Sequence, residues 1–163
     1  MLSKPLARHL RLLAALGALA VAGCGFAPVY GDKGAVTPLV GQTAIETTET
    51  PLGYELAGRL VERLGAPTED RFVLSVTPSI TAQDTAIEGG DSATRSFLRG
   101  SASYVLTETA GAIVSSGQVQ STTGYSTTAN TVATRAAEQD AHERLSIMLA
   151  DLVLAQVITD LAR

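Results

Sequence analysis

Cys24 is the residue of this 163-residue chain best placed to undergo a specific covalent reaction. It is the only cysteine, and it follows an uncharged run, residues 12–23, that ends in Val21-Ala22-Gly23. An extended stretch of small residues suits a peptidase working at a bilayer surface. A thiol directly behind that stretch is placed to form a thioether with a diacylglyceryl group. Other reactive groups are sparse. His142 is the only histidine after residue 23, and Glu138 one helical turn before it predicts an i, i+4 ion pair rather than a metal site. Asp84, Glu88 and Asp91 fall together around Gly89-Gly90, where acidic side chains are ordinarily solvated. No G-x-S-x-G, no glycine-rich phosphate loop and no supported Ser/His/Asp set is present. The chemistry expected is lipidation without catalysis: no catalytic residue, no metal ligand set and no cofactor.

The residues in front of Cys24 support that reading. Lys4, Arg8 and Arg11 make residues 1–11 basic, without an acid, and the apolar run that follows is shorter than the roughly 20 residues a spanning helix needs. This is the layout of a secretory signal peptide over residues 1–23, and Val21-Ala22-Gly23-Cys24 resembles the bacterial lipobox. Cleavage there leaves Cys24 as an acylated first residue. Each buried CH₂ of an acyl chain contributes about 0.8 kcal/mol, and two or more chains hold a protein on a bilayer without spanning it. Gly25 replaces the aspartate that commonly retains such proteins at the inner membrane, which points to the periplasmic face of the outer membrane.

Composition narrows the partners. The leader holds three of the twelve basic residues and none of the sixteen acidic ones, leaving nine against sixteen and a net charge of −7 on the mature chain. A domain so acidic is a poor partner for nucleic acid or for an anionic membrane face. With Cys24 acylated no thiol remains for a disulfide or a thiolate metal site.

The patterning then places the elements. Residues 24–42, rich in Gly and Pro, read as a lipidated tether; Phe26 and Tyr30 are unusual in a free linker and are expected to lie against a surface. A single α+β domain occupies 43–163. A short extended element is expected at Thr43–Thr47. Thr50 and Pro51 open a helix whose stripe runs Leu52, Leu56, Ala57, Leu60, Val61, Leu64, and Gly65 and Pro67 end it. Period-two alternation marks a strand over 71–80, with Pro78 suggesting an edge or a bulge, followed by a loop over 82–94. Two longer strands, 95–108 and 112–126, are joined by a hairpin at "ETAG". Leu98, Ala102, Tyr104 and Leu106 share one face of the first; Ile113, Val119 and Tyr125 share one face of the second. Asn130 or Thr131 caps a long final helix with a stripe of Ala133, Ala137, Ala141, Leu145, Met148, Leu149, Leu152 and Ile158. The order implies a two-layer sandwich, two helices on one face of a four-stranded mixed sheet.

The other sheet face must meet water or a partner. Residues 96–131 contain two charges, Arg99 and Glu108, and fourteen Ser or Thr. The outward positions include Ser101, Ser103, Thr107, Ser116, Gln118, Gln120 and Thr122. Such a surface is either a solvated hydroxyl face or one suited to another polar wall.

Three stretches carry a family resemblance. "CGFAPVYG" at residues 24–31, "SATRSFLRGSASYVLTE" at 92–108 and "TVATRAAEQDAHERLSIMLADLV" at 131–153 resemble the LPS-assembly lipoprotein family, LptE, in its alphaproteobacterial form. The resemblance implies two helices on a four-stranded sheet, and a non-enzymatic outer-membrane lipoprotein that plugs and supports the lipopolysaccharide-exporting barrel LptD. It favours docking for the polar face, with Phe26, Tyr30, Ser103, Gln118 and Gln120 as contacts, since a porin-type lumen is polar. It also implies lipopolysaccharide binding, for which Arg135 is the first candidate and Arg95 and Arg99 the others, because phosphates favour guanidinium. Arg135 is expected in the first turn of the final helix, where backbone N–H groups favour anions. A free periplasmic regulatory or binding lipoprotein, such as an activator of a cell-wall enzyme, is the alternative.

Overall fold

A computed structural model describes residues 36–85 and 94–163. The leader, Cys24, Phe26 and Tyr30 lie outside the described residues, as do Glu88, Asp91 and the side chain of Asp84.

Among the described residues six elements follow one another: β1 (Thr43–Thr47), α1 (Pro51–Leu64), β2 (Phe72–Thr85), β3 (Thr94–Glu108), β4 (Ile113–Thr127) and α2 (Thr131–Leu161). The sheet order is β1-β2-β3-β4, with β1 parallel to β2 and the other neighbours antiparallel. Both helices pack on one face, so the molecule is an α+β sandwich with an open sheet face.

Local chemistry sets the element ends. Thr50 Oγ1 accepts from Gly53 N at 3.1 Å and caps α1, and Gly65, at φ 79°, lets the chain leave the helix. Asn130 Oδ1 accepts from Val132 N and Ala133 N, at 3.0 and 3.2 Å, and caps α2.

Strands β2 and β3 reach further than period-two alternation indicates. The stretch 82–85, expected as loop, pairs with Arg95–Leu98. The stretch Ala82-Gln83-Asp84-Thr85 carries no apolar alternation, so only the neighbouring strand defines it. Pro78 stands two residues beyond Val76, where pairing with β1 ends. A missing N–H is tolerated beside a free edge.

The core lies between the sheet and the helices. Leu56, Leu60 and Leu64 of α1, Phe72, Leu74 and Val76 of β2, Leu98, Ala102, Tyr104 and Leu106 of β3, and Leu145, Leu149, Val153 and Val157 of α2 belong to one buried cluster. Val36 and Leu39, from the stretch read as tether, are buried in the same core. Two positions of the expected α2 stripe face outward, Ala133 and Leu152, while Ala150, Leu154 and Val157 are buried. The buried stripe of a straight helix drifts around the axis over 31 residues. Ile113 also leaves its expected face. Leu106 pairs with Ser115 but Thr107 with Ile113, so a bulge at Val114 turns Ile113 to the open side, where it is 68% exposed.

The lengths explain the cover. Fifteen strand residues span about 50 Å and the 31 residues of α2 about 46 Å. Helix α2 therefore runs the length of the sheet, whereas α1, with 14 residues, and β1, with 5, cover one half. Arg59 ties the helices together: its Nε and Nη2 donate to the two oxygens of Asp151, both at 3.1 Å. That fork, with Glu62 as second partner, raises the guanidinium pKa above its ordinary value.

Ser115, buried on β4, donates to Asp160 Oδ2 at 2.6 Å and joins the end of α2 to the sheet. That bond, helped by Gln156 and Arg163, holds the Asp160 carboxyl below its usual value. A depressed carboxyl stabilises the fold above its unfolded pKa and loses that contribution as pH falls through the native one. Ser115→Ala is therefore expected to lower stability by a constant amount above about pH 5, with the difference from wild type shrinking below about pH 4. Urea titrations across pH 3–7 measure it.

Candidate functional site

Strand register assigns every side chain to a layer. On β3, the positions paired through Ser101↔Gln120, Ser103↔Gln118 and Arg99↔Thr122 all point away from the helices. Ser103, Gln118, Gln120, Thr122 and Ser116 are exposed there, and Ser101 and Thr107 half-buried, as the alternation predicts. Among the described residues, the charged side chains on this face are Glu46, Arg95 and Arg99. Glu46 accepts from Ser75 Oγ at 3.1 Å. The rest is hydroxyl and amide, over three strands each about 50 Å long.

Two features of this face lie outside the sequence reading. Phe97 points outward and its ring covers Gly124 of β4: a Cβ at Gly124 would stand 3.2 Å from Phe97 Cε1. An aromatic over a strand glycine restores the packing the glycine lacks. The second is a shallow polar depression of about 280 Å³, lined by Ser79, Thr81, Arg99, Gly100, Ser101 and Gln120.

The three arginines expected to meet phosphate are not brought together. Arg95 and Arg99 occupy the open face near the β2–β3 connection, whereas Arg135 belongs to the helix layer, on the other side of the sheet. There it lines a groove of about 300 Å³ with Pro51, Leu52, Glu55, Glu138, Gln139 and His142, where the starts of the helices meet. The three share one property. Arg59, Arg63, Arg144 and Arg163 are each ion-paired, and Arg71 stacks 5.1 Å from the centre of the Phe72 ring. Arg95, Arg99 and Arg135 have no carboxylate within ion-pair distance among the described residues.

Two expectations at the groove need correction. Arg135 sits in the second turn of α2, and the first N–H groups of that helix are taken by Asn130, so the helix start offers no set of free donors to an anion. Glu138 and His142 do not form their expected ion pair among the described contacts; both face the groove instead.

Among the described residues no helix is long and apolar enough to cross a membrane, and no group of three or more His, Cys, Asp or Glu is arranged to hold a metal.

No protein-family model matches the chain, and no curated protein does. Solved structures match in fold. A candidate lipoprotein of Caulobacter crescentus aligns at 22% identity with a TM-score of 0.62, over 78% of this chain and 95% of that one. A minor lipoprotein of Acinetobacter baumannii aligns at 16% identity and TM-score 0.54, over 76% and 95%. Rare lipoprotein B of Shewanella oneidensis aligns at 13% identity and TM-score 0.54, over 72% and 94%. The chain thus shares, across almost the whole length of each, the two-layer fold of these three proteins.

Proposed function

We propose that this chain is a lipid-anchored, non-enzymatic protein of the outer membrane, facing the periplasm, that plugs and supports a lipopolysaccharide-exporting β-barrel of the LptD type. The observation that carries the reading is the open sheet face: three long strands of hydroxyl and amide side chains, bare of lysine, opposite a layer of two helices. Sheets that face bulk water usually blunt themselves with charge. A surface built this way suits the polar inner wall of a large barrel, where side chains rather than lipid line the lumen. Support comes from two further directions. Cys24 follows a leader with the lipobox pattern, and the fold is that of proteins described as lipoproteins, rare lipoprotein B among them.

The test is purification of the full-length protein from membranes in detergent. A plug comes out in one-to-one complex with a single large barrel, with Cys24 acylated in the intact mass of the matured chain. A regulator of a soluble or inner-membrane enzyme comes out alone or with that enzyme, and either result sinks the barrel reading.

Lipopolysaccharide contact is assigned on this reading to the arginines that have no carboxylate partner among the described residues, with Arg135 foremost because the groove beside it offers Leu52 and Pro51 next to its guanidinium. Arg135→Glu is expected to weaken lipopolysaccharide binding about tenfold or more, the loss of one charge-assisted bond plus repulsion, with an unchanged melting temperature. Binding equal to wild type in a labelled-lipopolysaccharide titration would remove Arg135 from the site.

A further inference from the structure

The groove beside Arg135 carries charges of both signs, and they are not paired with each other. Contacts between the helices fix how its walls meet. Glu55 of α1 meets Ser146 of α2, and Arg59, one turn further on, meets Asp151, so the two helices run side by side in the same direction. Helix α1 begins at Pro51, just before Glu55, whereas α2 begins at Thr131, far before Ser146. The start of α2 therefore overhangs the start of α1 by about 16 Å of helix rise. The groove lies under that overhang, with Leu52 and Glu55 on one side. On the other stand Arg135, Glu138 and His142, which follow at i, i+3 and i+7 along one face of α2.

The inner end is closed. Ser146 is fully buried, and its Oγ lies 2.8 Å from Glu55 Oε2 and 2.9 Å from the His142 carbonyl oxygen, which holds the Glu55 carboxylate against α2. Among the described residues neither Glu55 nor Glu138 has a basic partner, and Arg135, one turn before Glu138, has no acidic one. Passing inward along α2, the groove presents a guanidinium, then a carboxylate about 4.5 Å of helix rise further on, then a second carboxylate at the closed end. A ligand of phosphates alone gains from Arg135 and is repelled by both glutamates. An amine alone gains from the glutamates and is repelled by the arginine. A molecule that holds both groups a few bonds apart gains from each.

We infer that this groove takes a phosphoethanolamine-type head group, a phosphate joined through two carbons to a primary amine. The phosphate meets Arg135 and the ammonium meets Glu138, with Glu55 deepening the negative field at the inner end. Leu52 lies alongside for the carbon linker. The inference rests on the reading of Arg135 as a phosphate contact and not on the barrel.

The test titrates the full-length acylated protein in detergent micelles against two matched pairs of lipids. One pair is lipopolysaccharide with and without a phosphoethanolamine substituent; the other is phosphatidylethanolamine and phosphatidylglycerol. The amine-bearing member is expected to bind at least about tenfold more tightly in one pair or in both, the size of one charge-assisted bond. The pair in which the preference shows identifies the source of the head group. Glu138→Gln is expected to cut that preference to less than about threefold without weakening the amine-free lipid, whereas Arg135→Gln weakens both members about tenfold. Neither side chain is buried, and an unchanged circular dichroism melt verifies the fold. No preference in either pair, or a preference that survives Glu138→Gln, would overturn the inference. Binding that ignores the amine but still falls with Arg135→Gln removes only the amine contact and leaves Arg135 on the phosphate. Indifference to Arg135→Gln sinks the phosphate reading and the inference together.

Discussion

Replacing Ser103 and Gln118 together by glutamate is expected to leave the melting temperature within a few degrees of wild type while reducing recovery of the barrel complex at least about tenfold. Both side chains are exposed, and they stand directly opposite on β3 and β4. In the free protein the two carboxylates stay in water, and their cross-strand repulsion costs about 0.2–1 kcal/mol. At a contact both lose hydration and gain no cation from their own face, where the nearest described basic groups are Arg99 and Arg95. An unpaired buried charge costs far more than the 1.4 kcal/mol that separates tenfold steps in affinity. The register supplies an internal control. Ser103→Glu with Gln118→Lys places opposite charges across the same pair, where they neutralise each other, and is expected to impair association less. Affinity purification from detergent extracts, scored as barrel recovered per unit of lipoprotein, measures both. Full recovery with the double glutamate would remove the open face as the docking surface.

Gly53→Ala is expected to destabilise the fold by about 2–3 kcal/mol, the upper range of overpacking. On an exposed helix the same change gains up to about 1 kcal/mol, because alanine loses less backbone freedom than glycine. The difference lies in what the glycine touches. Gly53 is the third residue of α1 and is buried, and a Cβ built on it would stand 2.2 Å from the carbonyl oxygen of Thr48 and 3.0 Å from Thr47 Oγ1. Backbone cannot rotate away as a side chain can, so the start of α1 must shift from the end of β1. Gly58, on the same helix with nothing within 4 Å of its Cβ position, serves as the reference. Gly58→Ala is expected to raise stability where Gly53→Ala lowers it, and denaturant midpoints decide the matter. Equal signs would mean that the turn between β1 and α1 yields easily.

Much of this architecture is legible in the residues because local and global preferences agree. Thr50 and Asn130 mark both helix starts, the alternation in Phe72, Leu74 and Val76 gives the core face of β2, and the small polar residues between them give the open face. The failures each have a physical cause. Residues 82–85 are strand only because Arg95–Leu98 pair with them, a tertiary fact with no trace in periodicity. The bulge at Val114 reverses the face of Ile113 without changing its neighbours in sequence. Leu152 leaves the core because the face a long helix buries rotates along its axis. At the candidate site, composition identifies the polar face and the arginines, but not which arginines lack a carboxylate. That depends on Asp151 lying between Arg59 and Arg63, and on Asp140 and Asp160 holding Arg144 and Arg163.

The half-cover of the sheet has a mechanical consequence. Up to Val76, β2 is braced by β1 on one side and β3 on the other, with two helices above. Beyond it, among the described residues, β2, β3 and β4 run on as a three-stranded ribbon backed by α2. Local opening costs least where packing is thinnest, so amide exchange should be slowest around Leu74 and Leu106 and fastest near Thr81 and Leu98. A ribbon of that kind can change its curl while the base holds its shape, which gives a rigid body a compliant tip with which to fit a concave surface.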